Sequence, residues 1–201
     1  MIYRISRCIA WVFFKICFGY RVRNVRNVPE KGPFIIAGNH LSFLDPMAVG
    51  FATKEKVHFL ARASLFVNPV LNWWAANVGV IPISRGRFDI SAIKGTLDCL
   101  KKGKVVALFP EGTRSADGII KEAKAGVGYV AAKSGAPVVP ICVIGSDKAL
   151  PRQAIFVRFK HVEVRVAEPV LPEMFLKSNG EYDYQALSEE VMERIKKLSR
   201  D

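Results

Sequence analysis

Strand-like and helix-like segments alternate along most of this chain, and that alternation constrains its fold more than any other feature. Short apolar runs typical of buried strands recur, and turns or segments with helical spacing separate most of them. The predicted strands are residues 34–37, 57–61, 80–84, 105–109, 138–144, 155–159 and 161–167. Strands that alternate with helices predict an α/β fold: a mixed, largely parallel central sheet flanked by helices.

Helical spacing fills most of the intervals between those strands. Helices are predicted at residues 46–53, 64–77 with an interruption at Pro69, 90–102 with Asp89 as its cap, 122–134 and 184–198. Gly103 and Gly135 stand where two of these helices should end, because glycine adopts the left-handed conformation that ends many helices. At 201 residues the chain suits one main domain, predicted at residues 32–201, with an N-terminal appendage at residues 1–31.

The N-terminal segment is apolar and aromatic but carries three bases, Arg4, Arg7 and Lys15. Its longest charge-free run, residues 8–14, is too short to cross a bilayer, which needs about 20 apolar residues. On a helix the three bases fall within an arc of about 80°, and most of the remaining surface is apolar. This pattern predicts an amphipathic helix that lies in an anionic membrane interface. A terminal helix packed on the domain is the alternative.

The charge balance narrows the choice of partners. Thirty basic residues oppose 18 acidic ones, and the net charge of +12 favours nucleic acid, an anionic membrane surface or a phosphorylated substrate. No nucleic-acid-binding module is recognisable, which argues against the first of these. The four cysteines are scattered without a CxxC pair, so we expect them to be reduced and the protein to face the cytosol, and no metal site is predicted.

His40 and Asp45 lie where the first predicted strand of the domain gives way to a helix, at the rim of the sheet where α/β proteins build their sites. Imidazole titrates near neutral pH, so His40 is a candidate general base, and Asp45 is a candidate to orient its ring. Five residues on one helix lie about 140° apart, so the two side chains meet only if the chain turns between them. Alternatively, Asp45 caps a helix that begins at Pro46, and His40 is an ordinary edge histidine.

Three further segments at strand ends carry unusual residues. Arg85 and Arg87 flank a glycine after strand 80–84, in a pattern suited to phosphate contacts or simply to solvated surface arginines. The loop after strand 105–109 brings four residues into one tight turn: Glu111, Gly112, Thr113 and Arg114. A turn made only for structure would not need that set. In residues 139–141, Pro140 predicts a sheet edge or a bulge within an apolar strand.

Other enzyme signatures are missing from the sequence. There is no Gly-x-Gly-x-x-Gly after a strand and no Walker loop, so a nucleotide fingerprint is excluded. Ser42 lies two residues from His40, but no Gly-x-Ser-x-Gly elbow surrounds any serine, which argues against an acyl-serine mechanism.

Together, the four segments resemble the motifs of the glycerolipid acyltransferases. His40-x4-Asp45 and residues 79–85, 109–115 and 139–141 match those motifs in order, and the resemblance spans about residues 33–145. It is strongest to the bacterial 1-acylglycerol-3-phosphate acyltransferases, which make phosphatidic acid. The short N-terminal apolar region departs from the family pattern.

The resemblance implies an O-acyltransferase that moves a fatty acyl group from acyl-CoA or acyl carrier protein to lysophosphatidic acid, with no cofactor. It makes His40 the general base and Asp45 its partner, and it assigns the glycerol phosphate to Arg85, Glu111, Gly112, Thr113 and Arg114. Backbone N–H groups near His40 are candidate oxyanion donors. Trp73 and Trp74 either line an acyl groove or pack in the core. Membrane association at the cytoplasmic face, peripheral or monotopic, is expected.

Two alternatives to that function stay open at this point. The acceptor could be another lysophospholipid or glycerol-3-phosphate itself, since a phosphate clamp suits all of them. The chain could also be a non-enzymatic basic module that binds membranes, which its charge alone would permit.

Overall fold

The computed structural model of the protein describes residues 2–83, 90–115, 118–151, 153–154 and 156–200. Its strands are β1 Arg21–Arg23, β2 Phe34–Gly38, β3 Val57–Arg62, β4 Val80–Ile83, β5 Val105–Leu108, β6 Val138–Ile144 and β7 Glu163–Val166. Its α-helices are α1 Ile2–Phe18, α2 Asp45–Gly50, α3 Pro69–Val78, α4 Ile90–Lys101, α5 Gly126–Ser134, α6 Ser146–Ala149 and α7 Tyr184–Arg200. Short 3₁₀ helices lie at Val25–Asn27, Ala63–Phe66 and Pro172–Phe175.

The seven strands form one sheet in the order β1-β7-β6-β2-β5-β3-β4. Among these strands of the described residues, β6 and β7 are the only neighbours that pair antiparallel, and the other neighbouring pairs are parallel. The predicted mixed, largely parallel sheet flanked by helices is therefore confirmed. Helices cover both faces of the sheet, and successive side chains of the central strand β2 point to opposite faces. Ile36 packs in a core with α1 and α2, whereas Ile35 packs in a core with α5 and α7.

Most predicted elements are confirmed, and the exceptions have identifiable causes. Residues 156–159 form no strand, and Phe156 and Phe159 are exposed there, because no neighbouring strand pairs with them. The predicted helix 122–134 begins only at Gly126. Asp89, the predicted cap of the helix at residues 90–102, lies outside the described residues. β1 lies in the predicted N-terminal appendage and was not predicted as a strand, because only Val22 of its three residues is apolar and partly covered.

Pro140 lies in β6, which has neighbours on both sides, so the predicted edge is wrong. The predicted bulge is confirmed by a change of register beside Pro140: Ile141 pairs with Val166 but Val138 pairs with Val170, so the facing segment holds one extra residue. The carbonyl of Pro140 accepts the N–H of Ala167, so the missing N–H of the proline also faces the β7 side. The paired residues of β6 and β7 stop at Ile141 and Val166. Pro140 therefore stands just beyond the end of that ladder, where no donor is needed.

The N-terminal helix is confirmed as α1, and it packs on the domain along one side. Phe14 and Phe18 are buried in the core beside α2. Arg7 turns inward, and its guanidinium donates to the carbonyls of Gly50 and Thr53 at 2.6 Å each. Arg4 and Lys15 are exposed. Across the described residues, no helix combines the length and apolar character that crossing a bilayer requires.

Trp73 and Trp74 do not belong to the core. Their side chains are 56% and 40% exposed on α3, so the core-packing alternative for these residues is wrong.

Candidate active site

The loop that carries His40 (the first loop) and the loop that carries Glu111 (the third loop) meet because the strands that precede them are adjacent. β2 and β5 run parallel, with Ala37 opposite Leu108 at their carboxyl ends. The two loops therefore leave the sheet at the same edge, side by side. Two hydrogen bonds join them: the backbone N–H of His40 donates to Glu111 Oε1 at 2.9 Å, and the N–H of Ser115 donates to the carbonyl of His40 at 2.8 Å.

The imidazole of His40 contacts the carboxylate of Asp45. His40 Nδ1 lies 3.0 Å from Asp45 Oδ2, so the turn between the strand and α2 brings the predicted pair together. The Asp45 side chain is fully buried, whereas the His40 side chain is 18% exposed. With Nδ1 held by the carboxylate, Nε2 is the ring nitrogen left to exchange a proton with a ligand.

Asp45 does not cap α2, so that interpretation is wrong. Asp45 itself lies in the first turn of the helix, with Pro46 beside it, and Leu44 holds the cap position. Its carboxylate reaches backwards instead. Asp45 Oδ2 accepts the N–H groups of Leu41 and Ser42 at 2.6 Å each, in addition to the contact with His40. These donors fix the carboxylate in a water-excluded position from which it can hold the ring.

Phe109 supplies one wall for the imidazole. Its ring stacks on that of His40 with centroids 4.1 Å apart and an angle of 19° between the planes. The ring of His40 is thus held on one edge by Asp45 and on one face by Phe109. Such restraint favours a single orientation for the side chain.

Glu111 is buried and is bound to backbone N–H groups through both oxygens. His40 N–H donates to Oε1, and the N–H of Lys121 donates to Oε2 at 3.2 Å. Burial raises the pKa of Glu111 above its ordinary value, and these two hydrogen bonds and the charge of His40 oppose the shift. The carboxylate therefore bridges the His40 loop and the segment that precedes α5.

The remaining residues of the third loop lie nearer the surface. Gly112 has φ of +73°, a conformation that favours glycine, and both it and Thr113 are exposed. The side chain of Lys124 passes over Gly112, where an added Cβ would lie 3.1 Å from Lys124 Nζ. The guanidinium carbon of Arg114 stands 3.5 Å from the ring centroid of Phe43 in the first loop. Arg85 lies outside the described residues.

The backbone N–H groups expected to serve as oxyanion donors are already used. Those of His40, Leu41 and Ser42 donate to the carboxylates of Glu111 and Asp45. The expectation for these three groups is therefore wrong. The described residues hold no cluster of three or more His, Cys, Asp or Glu side chains suited to a metal ion.

The roles of three residues of the site were not predicted from the sequence. Asn39 ties the first loop to β6, since its amide exchanges two hydrogen bonds with the backbone of Val143 at 2.7 and 2.9 Å. Its position directly after a predicted strand and before His40 could have indicated a role for Asn39 in holding this loop. Phe109 was predicted as a strand residue at the start of the 109–115 segment, without a contact to His40, and Lys124 was predicted to lie in a helix that in fact begins later.

A family model described as "Acyltransferase" matches residues 19–144 of the chain. This chain belongs to the acyltransferase family. The match covers β1 to β6 and thus every loop of the site described above. It includes His40, Asp45 and residues 109–115, in agreement with the resemblance found in the sequence.

Individual relatives agree with that family. A chloroplastic 1-acyl-sn-glycerol-3-phosphate acyltransferase of Brassica napus is 35% identical over 148 residues, covering 72% of this chain and 42% of the relative. A 1-acyl-sn-glycerol-3-phosphate acyltransferase of Bacillus subtilis is 27% identical over 181 residues, covering 90% of this chain and 88% of the relative. This chain therefore spans less than half the length of the plant relative.

A solved structure shares the fold of this family member. The crystal structure of the 1-acyl-sn-glycerophosphate acyltransferase PlsC from Thermotoga maritima superposes with a TM-score of 0.76 at 26% identity. The match covers all of this chain and 79% of that one.

Proposed function

We propose that this protein transfers a fatty acyl group from acyl-CoA or acyl carrier protein to the sn-2 hydroxyl of 1-acylglycerol-3-phosphate, giving phosphatidic acid. The observation that carries the proposal is the contact between His40 and the buried Asp45 carboxylate at the carboxyl edge of the sheet. The names of the relatives supply the acceptor, because each is called a 1-acyl-sn-glycerol-3-phosphate acyltransferase.

In the proposed reaction, His40 acts as a general base. Its Nε2 takes the proton of the sn-2 hydroxyl while that oxygen forms a bond to the thioester carbonyl carbon. When the carbon–sulfur bond breaks, the sulfur leaves as a thiolate and receives the proton from His40. Asp45 stabilises the imidazolium that exists between those two transfers, as a carboxylate does beside a catalytic histidine in hydrolases. The acceptor supplies the nucleophile, so no covalent enzyme intermediate and no cofactor is needed.

The anionic phosphate of the acceptor is assigned to the loops around His40. Arg114 is held beside the first loop by Phe43 and carries the charge, and Arg85 is proposed to join it. Gly112 and Thr113 offer an exposed backbone and hydroxyl. Glu111 belongs to this group as a positioning residue, because both its oxygens already accept backbone N–H groups.

Membrane association at the cytoplasmic face, through α1, is part of the proposal. The side of α1 that faces away from Phe14 and Phe18 is apolar and exposed, most strongly at Ile9 and Ile16. Exposed Arg4 and Lys15 would attract anionic headgroups. Such an attachment would bring the enzyme to an acceptor that resides in the bilayer.

Free thiol release tests the enzymatic proposal. Purified protein is incubated with acyl-CoA or acyl carrier protein and a panel of acceptors: 1-acylglycerol-3-phosphate, other lysophospholipids and glycerol-3-phosphate. We expect the first to react fastest, and we expect His40→Ala to lower kcat by about 10³-fold. His161→Ala, which replaces an exposed histidine, is the matched control and should stay near the wild-type rate. Retention of most of the rate by His40→Ala would overturn the base assignment.

The membrane part is tested by point variants rather than by truncation, because Phe14 and Phe18 belong to the core. Ile9→Gln and Ile16→Gln alter only exposed positions, and both should weaken sedimentation with vesicles of phosphatidylglycerol and phosphatidylcholine. Unchanged sedimentation would move the membrane contact away from α1.

A further inference from the structure

Helix α3 carries no charged residue and only two polar ones, Asn72 and Asn77, and yet it is almost entirely uncovered. No charged residue occurs between residues 63 and 84, and Ala75 alone is buried among the ten residues of α3. The exposed fraction is 71% for Val70 and 82% for Val67, which directly precedes the helix. Leu71, Trp73 and Trp74 are exposed as well. A helix with so few polar residues is normally buried in a protein core or in lipid.

The exposure of α3 is not the consequence of a frayed or irregular segment. Asn68 caps its first turn by accepting the N–H groups of Val70 and Leu71. Pro69 occupies the start of the helix, and Gly79 ends it with φ of +94°. Local signals thus form α3 independently of core packing, which leaves its apolar side chains available to something outside the chain.

α3 is joined to α1 by one direct hydrogen bond and by a lysine that contacts both helices. Trp74 Nε1 donates to Ser6 Oγ at 3.2 Å in the middle of the pair. Lys56 Nζ donates to the carbonyl of Asn77 at 2.7 Å and lies 5.5 Å from the ring centroid of Tyr3. The two helices therefore present their outer sides together, and we call this region the α1–α3 surface.

Helix geometry indicates which side of α1 contributes to that surface. At 100° per residue, Ile5, Ile9, Val12 and Ile16 fall within about 60° of one another, opposite the buried Phe14 and Phe18. Ser6, which contacts α3, lies on one flank of this apolar arc. Arg4 and Lys15 lie on the other flank, and both are exposed. The α1–α3 surface is therefore a broad apolar area with bases along one border.

We propose that α3 is a second membrane-contacting element, which lies beside α1 in the interface of an anionic phospholipid bilayer. The proposal rests on the proposed membrane contact of α1. Three features favour lipid over a protein partner. Tryptophan prefers the membrane interface, the bordering charges are basic, and residues 1–29 contain no acid that headgroups would repel. Association of two copies across this surface would instead oppose chains that each carry +12.

Vesicle binding by matched variants tests the proposal. Trp73→Gln with Val70→Gln changes only exposed positions of α3, and it should weaken binding to phosphatidylglycerol–phosphatidylcholine vesicles about tenfold. Met174→Gln, at an exposed apolar residue of the Pro172–Phe175 helix near α5 and α7, is the control and should leave binding unchanged. Circular dichroism verifies that each variant is folded.

The tryptophans report directly on contact. The chain has three, so Trp11→Phe with Trp74→Phe leaves Trp73 as the only emitter. Its emission should shift to shorter wavelength on vesicle addition and should be quenched by lipids brominated in their acyl chains. A parallel chain that retains only Trp11 reports on α1 in the same way.

Each alternative result contradicts a defined part of the proposal. If wild type does not bind vesicles, both membrane proposals fail. If Ile9→Gln weakens binding while the α3 variant binds like wild type and Trp73 is not quenched, the α3 proposal alone fails. A blue shift of Trp73 that follows protein concentration without vesicles, together with a dimer in sedimentation equilibrium, would assign the surface to a second copy of the chain.

Discussion

The loops around His40 and the α1–α3 surface depart in opposite directions from the usual division between an apolar interior and a polar exterior. In the loops, Asp45 and Glu111 are buried, and four backbone N–H groups donate to their carboxylates. On the α1–α3 surface, isoleucine, valine and tryptophan side chains stand in solvent. Neither arrangement is what the stability of a soluble chain alone would favour.

The difference indicates that the two regions serve different ligands. Buried, hydrogen-bonded carboxylates around a histidine keep a proton-transferring group in a fixed position. A continuous exposed apolar area instead suits a partner that accepts apolar side chains without specific hydrogen bonds. The rigid polar site around His40 and the adaptable apolar surface thus lie in separate parts of the molecule. Helix α1 connects them, because its Arg7 donates to carbonyls at the C-terminal end of α2.

Substitution of Asp45 should affect both activity and stability strongly, because it removes the charge at the centre of the polar region. Asp45→Asn keeps an oxygen for the N–H groups of Leu41 and Ser42 but cannot stabilise an imidazolium. We expect kcat to fall about 10²–10³-fold in the thiol-release assay, with a change in the free energy of unfolding below about 1 kcal/mol.

Asp45→Ala should lose similar activity and also about 2–4 kcal/mol of unfolding free energy in urea, because two buried N–H groups lose their acceptor. The pair of variants separates charge from position. A fully active Asp45→Asn protein would mean that the carboxylate only holds the loop, and an unchanged stability of Asp45→Ala would contradict the structural contact itself.

The sequence predicted the polar region better than the apolar one, and the reason is local. The run at Phe34–Gly38 is apolar without interruption because both faces of β2 are covered, so the strand and the loop after it were recognisable. The family motifs then brought together loops that lie more than 60 residues apart. Whether Asp45 caps forward or reaches backward depends on the turn geometry, which residue identities alone do not determine.

The exposure of α3 was not predictable from its pattern. An apolar pattern indicates that side chains avoid water, but it does not indicate whether other parts of the same chain bury them. Trp73 and Trp74 were therefore assigned to a core or a groove. Strand β1 was not predicted either, because its Arg-Val-Arg sequence has no strand pattern of its own. It forms a strand through pairing with β7.

Arg7 links the two regions, and its substitution tests that link. Its guanidinium donates to the carbonyls of Gly50 and Thr53 and lies 5.7 Å from the ring centroid of Phe51. Arg7→Gln should lower the free energy of unfolding by about 2 kcal/mol, because hydrogen bonds from a charged donor to the end of α2 are lost. Arg4→Gln, on the same helix but exposed, should change it by less than about 0.5 kcal/mol. Equal effects in urea unfolding would mean that Arg7 acts only through surface charge.

The smallest expected effect is a pH dependence of stability that originates in Glu111. Burial raises its pKa in the folded protein above the ordinary value of 4.5, so the folded state binds the proton more tightly than the unfolded state. The stabilising contribution of the protonated group is complete below pH 4.5 and is lost as the pH rises through the raised pKa.

Urea unfolding of wild type and Glu111→Gln at a series of pH values isolates this contribution from all other titrating groups. The free energy of unfolding of wild type minus that of the variant should fall as the pH rises from 4.5 and become constant above the raised pKa. Glu122→Gln, an exposed neighbour in the chain, should give a nearly constant difference over the same range. A difference that instead rises with pH would mean that the two backbone hydrogen bonds outweigh burial, and that the carboxylate is held in its charged form for the chemistry of His40.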